Sequence, residues 1–251
     1  MLRKIRRTVM VLMASLLTLA QAAKAETLRV STEEWPGYTN ADMTGLYFDI
    51  LNMVFKPHGY ALDVRIVPYT RSIHNTISGK SDLWIGAYEG DNEEAIYPKK
   101  YYDLDLVEAI CVSGILTDKN PLDSLNGKKL GWIRGYEYDA YIPFDANFRE
   151  FDDRAAAIDS LQRQKLDCFL DDKTINDYLL TNYPDLVKEL DRRKIIFLPL
   201  FFGFSPTEKG KQLADLFDRE FPKYVMSGEL EALHQKWNLP FYHEQMLKRL
   251  N

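Results

Sequence analysis

The sequence predicts an α/β protein made of two similar halves that face each other across a cleft. In residues 27–87, short apolar strand patterns alternate with amphipathic helix patterns, and the same alternation starts again at residue 129. This alternation is typical of parallel sheets covered by helices. Extended apolar segments join the two halves, which predicts two lobes with a cleft between them.

The first half is predicted to contain three strands and two helices. The first helix, 45–55, has apolar residues at helical spacing and ends at a Pro-His-Gly sequence. The second helix follows Pro68 and carries Ile73 and Ile77 on one face, before a Ser-Gly-Lys sequence ends it. The strand patterns occupy 27–31, 62–67 and 83–87.

The second half repeats the arrangement. Helix patterns cover 154–161, after an N-cap at Asp152 or Asp153, and 174–180. The strand patterns occupy 129–133, 166–170 and 195–204.

Helices are predicted from residue 205 to the C-terminus. The Ser-Pro-Thr-Glu sequence of 205–208 has the form of a capping box with Pro206 at the first helical position. A Ser-Gly sequence at 227–228 predicts a break between two helices.

Residues 1–25 have the three parts of a secretory signal peptide. Four basic residues and no acid precede residue 8, residues 8–20 are almost wholly apolar, and Ala-Lys-Ala at 23–25 has the small residues of a cleavage site. The apolar run is shorter than the about 20 residues that span a membrane. No Cys follows it for a lipid anchor. We therefore expect cleavage before Glu26 and a periplasmic location.

The charge of the exported chain narrows the class of partner. The signal peptide holds five of the 32 basic residues and none of the 37 acids, which leaves 27 basic and 37 acidic residues, a net charge of −10. Such a surface repels phosphate backbones and anionic membranes, so nucleic acid is excluded as a partner. It suits a carrier of a cationic solute, although most of these acids would serve solubility alone.

No metal or cofactor site is expected. The four histidines lack the spacing of metal ligands. Cys111 and Cys168 lie in apolar strand patterns, where both a disulfide and buried free thiols are open alternatives, with free thiols slightly favoured.

Several polar or aromatic loops follow the predicted strands. Because ligands bind beyond the carboxyl ends of strands in open α/β sheets, we expect these loops to line one groove. They are 32–38, 68–71, 88–94 and 134–138, together with Asp171 and Asp172.

The chain resembles the family 3 extracellular solute-binding proteins, the periplasmic receptors of amino-acid ABC transporters. The resemblance spans nearly all of 26–239 and rests on the order and spacing of several short sequences. They are Gly-Leu-Tyr-Phe-Asp-Ile at 45–50, Val-Pro-Tyr-Thr-Arg at 67–71, Ser-Gly-Lys-Ser-Asp-Leu-Trp-Ile-Gly at 78–86, Leu-Asn-Gly-Lys-Lys-Leu-Gly at 125–131 and Leu-Asp-Cys-Phe-Leu-Asp-Asp at 166–172.

The resemblance implies the two-lobed periplasmic binding protein type II fold, in which two crossover strands join the lobes. Lobe 1 would comprise 26–106 and 203–251, and lobe 2 would comprise 107–202. The implied partners are a small-molecule ligand and an inner-membrane ABC permease or sensor, and the protein would act as a monomer.

The expected site departs from the family pattern. In amino-acid-binding relatives, an Arg beyond the third strand binds the ligand's α-carboxylate, whereas Glu93 or Glu94 stands near that place here. If the alignment with the family pattern is displaced by a few residues, Arg71 or Lys99 would take that role instead. Asp172 matches the family's ammonium-binding acid, and it is also placed to cap the following helix.

Acids and aromatic rings therefore predict an amine or cationic metabolite as the ligand, with an ordinary amino acid as the close alternative. For any one aromatic ring, the alternative to ligand contact is a position in the core or on the surface. The predicted ligand-binding residues are Glu33, Glu34, Trp35, Tyr69, Arg71, Tyr88, Glu93, Tyr136 and Asp172.

Two other functions compete with transport. The same module serves as a ligand-sensing subunit for a membrane receptor, and a periplasmic cyclohexadienyl dehydratase shares the fold. We expect no enzyme, because the basic residue that would hold a carboxylate substrate is missing and no Gly-x-Ser-x-Gly or Cys/His pairing occurs.

Overall fold

The computed structural model describes residues 25–242. Apart from Ala25, the predicted signal peptide lies outside the described residues, as does 243–251. No helix within 25–242 is long and apolar enough to cross a membrane.

Eight strands and six α-helices make up the described fold. The strands are β1 (Glu26–Thr32), β2 (Tyr60–Ile66), β3 (Leu83–Ala87), β4 (Asp103–Val112), β5 (Lys129–Ile133), β6 (Asn147–Phe151), β7 (Cys168–Asp172) and β8 (Leu190–Phe204). The helices are α1 (Leu46–Phe55), α2 (Tyr69–Ile77), α3 (Arg154–Gln162), α4 (Lys173–Leu180), α5 (Glu208–Ser227) and α6 (Glu229–Trp237). Short 3₁₀ turns occupy Lys56–His58, Asp123–Leu125, Tyr138–Tyr141 and Leu186–Glu189.

The strands follow the order β2-β1-β3-β8-β4-β7-β5-β6, which divides into two parallel halves. In the first half, β1 runs parallel to β2 and β3. In the second half, β5 runs parallel to β6 and β7. Both halves have the strand–helix alternation that the sequence predicts.

The long antiparallel pair β4 and β8 joins these halves. β8 pairs with β3 near its C-terminal end, at Phe201 to Phe204, and with β4 along the rest of its length. These are the two crossover strands that the resemblance implies. The lobe boundaries at 106/107 and 202/203 remain a prediction.

Local sequence explains where the helices begin. The Asp153 side chain accepts a hydrogen bond from the Ala156 N–H at 2.8 Å, which caps α3 as predicted. The expected capping box is wrong in its detail, because Thr207 caps α5 by accepting from Gly210 N–H at 3.0 Å. Ser205 instead lies 2.9 Å from the Thr207 hydroxyl, and the proline precedes the helix.

The slight preference for free thiols is also wrong. Cys111 and Cys168 form a disulfide, with a Cα–Cα distance of 4.0 Å. They stand opposite each other in β4 and β7, and both are fully buried. The strand register, which sequence spacing does not give, brings the two sulfurs together.

Candidate ligand-binding site

A cavity lies between the two halves, beside the crossover strands. Its volume is about 50 Å³. Since about 10–15 Å³ suffices for one water molecule, this closed form has room for only a few non-hydrogen ligand atoms. The lining residues are Trp35, Tyr38, Tyr47, Tyr69, Gly86, Tyr88, Asp105, Tyr136, Asp171, Asp172, Ile175 and Leu200.

Three packed rings form one wall. The Trp35 and Tyr69 ring centroids are 6.1 Å apart, and those of Tyr69 and Tyr136 are 5.3 Å apart. The indole Nε1 of Trp35 donates to the Tyr136 hydroxyl at 2.8 Å, which links the first half to the second. Gly86 lets the indole approach the backbone, because a Cβ there would stand 2.5 Å from a Trp35 ring carbon.

Arg154 holds the two halves together beside the cavity. Its Nε donates to Asp171 at 2.7 Å, its Nη1 to Glu33 at 3.0 Å and its Nη2 to the Tyr136 hydroxyl at 2.8 Å. Glu33 belongs to the first half and the other partners to the second. Three of the five guanidinium N–H groups therefore already have protein acceptors, and Arg154 does not line the cavity.

Burial and neighbouring charges shift the pKa values of Glu33 and Arg154 in this cluster. The side chain of Asp171 is only 1% exposed, and those of Arg154 and Glu33 are each 17% exposed. Burial raises the pKa of Glu33, although Arg154 opposes the rise. Burial acts to lower the pKa of Arg154, but its neighbours, with Asp171 first, together hold that pKa well above its ordinary value, so its charge is permanent.

Asp105, from β4, is bound by two phenol hydroxyls. The hydroxyls of Tyr88 and Tyr138 both donate to its Oδ2. Its Oδ1 is buried and has no hydrogen-bond partner in the described structure. Burial, and then the negative charge of Asp172, raise the pKa of Asp105 well above its usual range.

Asp172 is both a helix cap and a lining residue. Its Oδ1 accepts from the N–H groups of Thr174 and Ile175, at 2.8 and 3.1 Å, which caps α4. Burial raises its pKa to about 6. Its carboxyl group is close enough to that of Asp105 for a hydrogen bond when one of the two is protonated.

Asp171 and Asp172 both line the cavity, although adjacent residues of a regular strand point to opposite sides. Strand alternation ends here, since Asp172 is the last residue of β7 and also the N-cap of α4.

The structure brings together five of the nine residues predicted to bind the ligand. Those that line the cavity are Trp35, Tyr69, Tyr88, Tyr136 and Asp172. Glu33 lies beside it, paired with Arg154. Glu34, Arg71 and Glu93 are exposed and do not line it.

The loop after β3 shows why Glu93 stays outside. The acid that turns inward there is Asp91, whose Oδ2 accepts from the Tyr69 hydroxyl and the Tyr88 N–H, both at 2.8 Å. Burial raises the pKa of Asp91 to about 7. An acid rather than an arginine therefore occupies this side of the cleft.

Sequence reasoning missed Asp105 and Arg154, and it did not include Asp171 among the binding residues. A signal existed for Asp105, because β4 carries acids at 103, 105 and 108 between apolar residues, and all three are buried. Arg154 gave no such signal, since its partners Glu33 and Asp171 are distant from it in the chain. Within 25–242, no group of three or more His, Cys, Asp or Glu side chains could hold a metal ion.

No protein-family model matches the chain, and no curated protein matches it. Solved structures share its fold at low identity. An ancestral arginine-binding protein bound to arginine is 17% identical, with a TM-score of 0.68 over 85% of this chain and 99% of that one.

Two further structures extend the comparison. A substrate-binding protein of an ABC uptake transporter from Streptococcus pneumoniae, with bound histidine, is 16% identical, with a TM-score of 0.64 over 84% of this chain and 92% of that one. An ancestral amino-acid-binding protein, a precursor of cyclohexadienyl dehydratase, is 17% identical, with a TM-score of 0.65 over 88% and 98%. The chain thus has the two-lobed fold of periplasmic binding proteins.

Proposed function

We propose that this protein is a periplasmic solute-binding protein that closes two lobes on a small cationic solute and presents it to an ABC permease. In this proposal, lobe 1 is 26–106 with 203–251, lobe 2 is 107–202, and the exported monomer acts outside the inner membrane. The shared fold supports the capture mechanism, in which lobe closure around the ligand signals occupancy to the membrane partner.

The charge of the cavity carries the choice of ligand. Asp105, Asp171 and Asp172 line it, and no lining residue in the described part of the chain is Lys or Arg. Arg154 pairs with Asp171, whereas phenol hydroxyls hold Asp105 and backbone N–H groups hold Asp172. Buried carboxylates without a paired cation favour a cationic ligand, and aromatic faces favour it further, by about 2 kcal/mol for a desolvated contact.

An ordinary amino acid fits this cavity less well. Its ammonium would find acids, but its carboxylate would need a guanidinium, and that of Arg154 is held by Glu33, Asp171 and Tyr136. A free carboxylate beside Asp105 would also raise the repulsion between acids. The comparison structures contain arginine and histidine, so the bound amino acids of that fold remain the close alternative.

Simple experiments distinguish the sensing role and the dehydratase role from the transport role. If deletion of the gene leaves amine uptake intact but alters a signalling response, the sensing role replaces the transport role. The dehydratase role requires a carboxylate substrate held by basic groups, which this cavity does not offer. We expect no turnover when the purified protein is incubated with prephenate.

A thermal-shift series on the mature chain tests the ligand class. A ligand that binds only the folded protein stabilises it by about 2.7 kcal/mol at 100 times its Kd. At about 2–4 °C per kcal/mol for a chain of this size, this corresponds to a rise in Tm of roughly 5–11 °C. We expect small primary amines to produce it, and Glu93→Gln, outside the cavity, to leave it unchanged. Stabilisation by neutral amino acids with none by amines would contradict the proposal.

A further inference from the structure

We propose that Asp105 anchors a protonated primary amine through its unpartnered Oδ1, and that this ammonium displaces a proton held between Asp105 and Asp172. The inference rests on the proposed capture of a cation in this cleft. It adds the anchoring residue, the chemical class of the ligand nitrogen, and a coupling between ligand and proton.

The Oδ1 atom of Asp105 is a buried acceptor that no protein donor uses. Asp105 is 6% exposed, and the Tyr88 and Tyr138 hydroxyls both donate to its other oxygen. Once the shared proton has left, Oδ1 is a buried acceptor without a donor, which is costly, so a ligand that supplies an N–H gains free energy here. A quaternary ammonium has no N–H and would leave Oδ1 unsatisfied. The site therefore favours a primary ammonium, although the rings alone would accept either cation.

Asp105 and Asp172 form a pair of interacting buried acids. The titratable groups that interact with the Asp105 carboxyl are acids or phenols. They are Asp172 and Asp171 at the end of β7, Tyr88 after β3 and Tyr138 after β5. The charge of Asp105 also raises the pKa of three phenols on other segments, Tyr38, Tyr102 and Tyr242. The nearby cation, Arg154, is held by Asp171 and Glu33. Without a ligand, two buried carboxyls in one environment keep one proton between them.

Amine binding exchanges one proton for one ammonium. The free pair holds one proton, the incoming R–NH₃⁺ forms hydrogen bonds to the carboxylates, and the displaced proton leaves to the buffer. No covalent bond changes apart from that O–H. Because the cation favours the ionised pair, affinity rises with pH while the free pair still holds its proton, by up to about tenfold per pH unit. The rise continues above the pKa of Asp172, about 6, because the pKa of Asp105 lies higher, and it ends where the free pair loses its last proton.

The test is isothermal titration calorimetry of the mature protein with three probes: n-propylammonium, tetramethylammonium and glycine. Titrations at pH 6, 7 and 8, each in two buffers of different ionisation enthalpy, count the protons released. We expect propylammonium to bind, tetramethylammonium to bind at least about tenfold more weakly, and up to one proton to be released per amine.

Two matched variants locate the anchor. Asp105→Asn keeps the shape but removes the charge, and we expect it to weaken propylammonium binding about 100-fold or more and to abolish proton release. Asp103→Asn removes another buried acid from the same strand, one that does not line the cavity and that accepts from the Tyr47 hydroxyl at 3.1 Å. It should keep both the affinity and the proton count. Circular dichroism confirms folding, and the comparison of probes on the unaltered protein needs no variant.

The outcomes separate the two proposals. Equal binding of propylammonium and tetramethylammonium, or full affinity in Asp105→Asn, overturns the anchor while the cation-binding function stands. Amine binding without proton release overturns the proton coupling. Binding of glycine with no binding of either amine overturns the proposed ligand class as well, and binding of none of the probes counts against both.

Discussion

Replacing Arg154 by Met tests whether a buried charge cluster joins the two halves. The variant leaves the carboxyl of Asp171, only 1% exposed, without its counterion and removes the bond to Glu33. Removing one partner of a buried ion pair costs about 3–5 kcal/mol, because the remaining charge stays desolvated. Since Arg154 and Glu33 keep 17% exposure, we expect the lower end, about 3 kcal/mol of unfolding free energy.

The chain offers a matched control in Arg134. Its guanidinium also binds two acids, Glu150 at 3.0 Å and Asp152 at 2.7 Å, but it is 49% exposed. Exposed pairs contribute about 0–1 kcal/mol, so Arg134→Met should change stability little.

Urea unfolding followed by circular dichroism measures the unfolding free energy of both variants. In thermal unfolding, a loss of about 3 kcal/mol lowers Tm by roughly 6–12 °C in a chain of this size. Adding Asp171→Asn to Arg154→Met should recover part of the loss, because it removes the unpaired charge. If the Arg154 variant loses no more than the Arg134 control, the assignment of a buried charge cluster is wrong.

Three further predictions address the disulfide, a buried acid and the ring wall. Reduction, or Cys111→Ser with Cys168→Ser, should lower the unfolding free energy by about 4 kcal/mol from loop closure, and a urea midpoint insensitive to reductant would contradict this. The pKa of Asp103 is raised to about 7, and the group is protonated at higher pH when folded than when unfolded. The wild type should therefore lose stability relative to Asp103→Asn as pH rises from about 4 to 8, and a constant difference in urea midpoint would refute the buried acid. Gly86→Ala places a Cβ 2.5 Å from the neighbouring indole and should weaken amine binding about tenfold or more, whereas Gly90→Ala, with similarly positive φ but no atom within 4 Å, should not. Equal calorimetric affinities of the two alanine variants would contradict the role of the ring wall.

The elements that the sequence predicts well are those with a strong local pattern. Leu83–Ala87 is a fully buried strand, and its continuous apolar run predicts the same bounds. Asn147–Phe151 has no such pattern, because four of its five residues are at least partly exposed at the edge of the sheet. Only its pairing with β5 makes it a strand, and pairing partners are not visible in a local window.

The aromatic part of the site was predictable for a topological reason. Trp35, Tyr88 and Tyr136 each follow a strand of a parallel half, and the carboxyl ends of such strands meet at one edge. This argument needs only the order of the elements, so it places loop residues without knowledge of their contacts.

The charged part was not predictable in the same way. Arg154 reaches Glu33, 121 positions away, and Asp171, 17 positions away, so its role depends on how the two halves pack. Asp105 lies on a connecting strand, and only the closed arrangement shows which of its oxygens lacks a partner. Long-range packing thus decides the charge of the cavity, whereas loop position decides its rings.

The central claim is that this cleft binds an ammonium at Asp105 and has no guanidinium free for a carboxylate. The most direct measurement is a crystal structure of the mature protein grown with equal concentrations of n-propylammonium and glycine. The account predicts a propylammonium nitrogen within about 2.7–3.2 Å of the Asp105 carboxylate, with Arg154 still bound to Glu33 and Asp171. A glycine whose carboxylate has displaced Glu33 from Arg154 would contradict it.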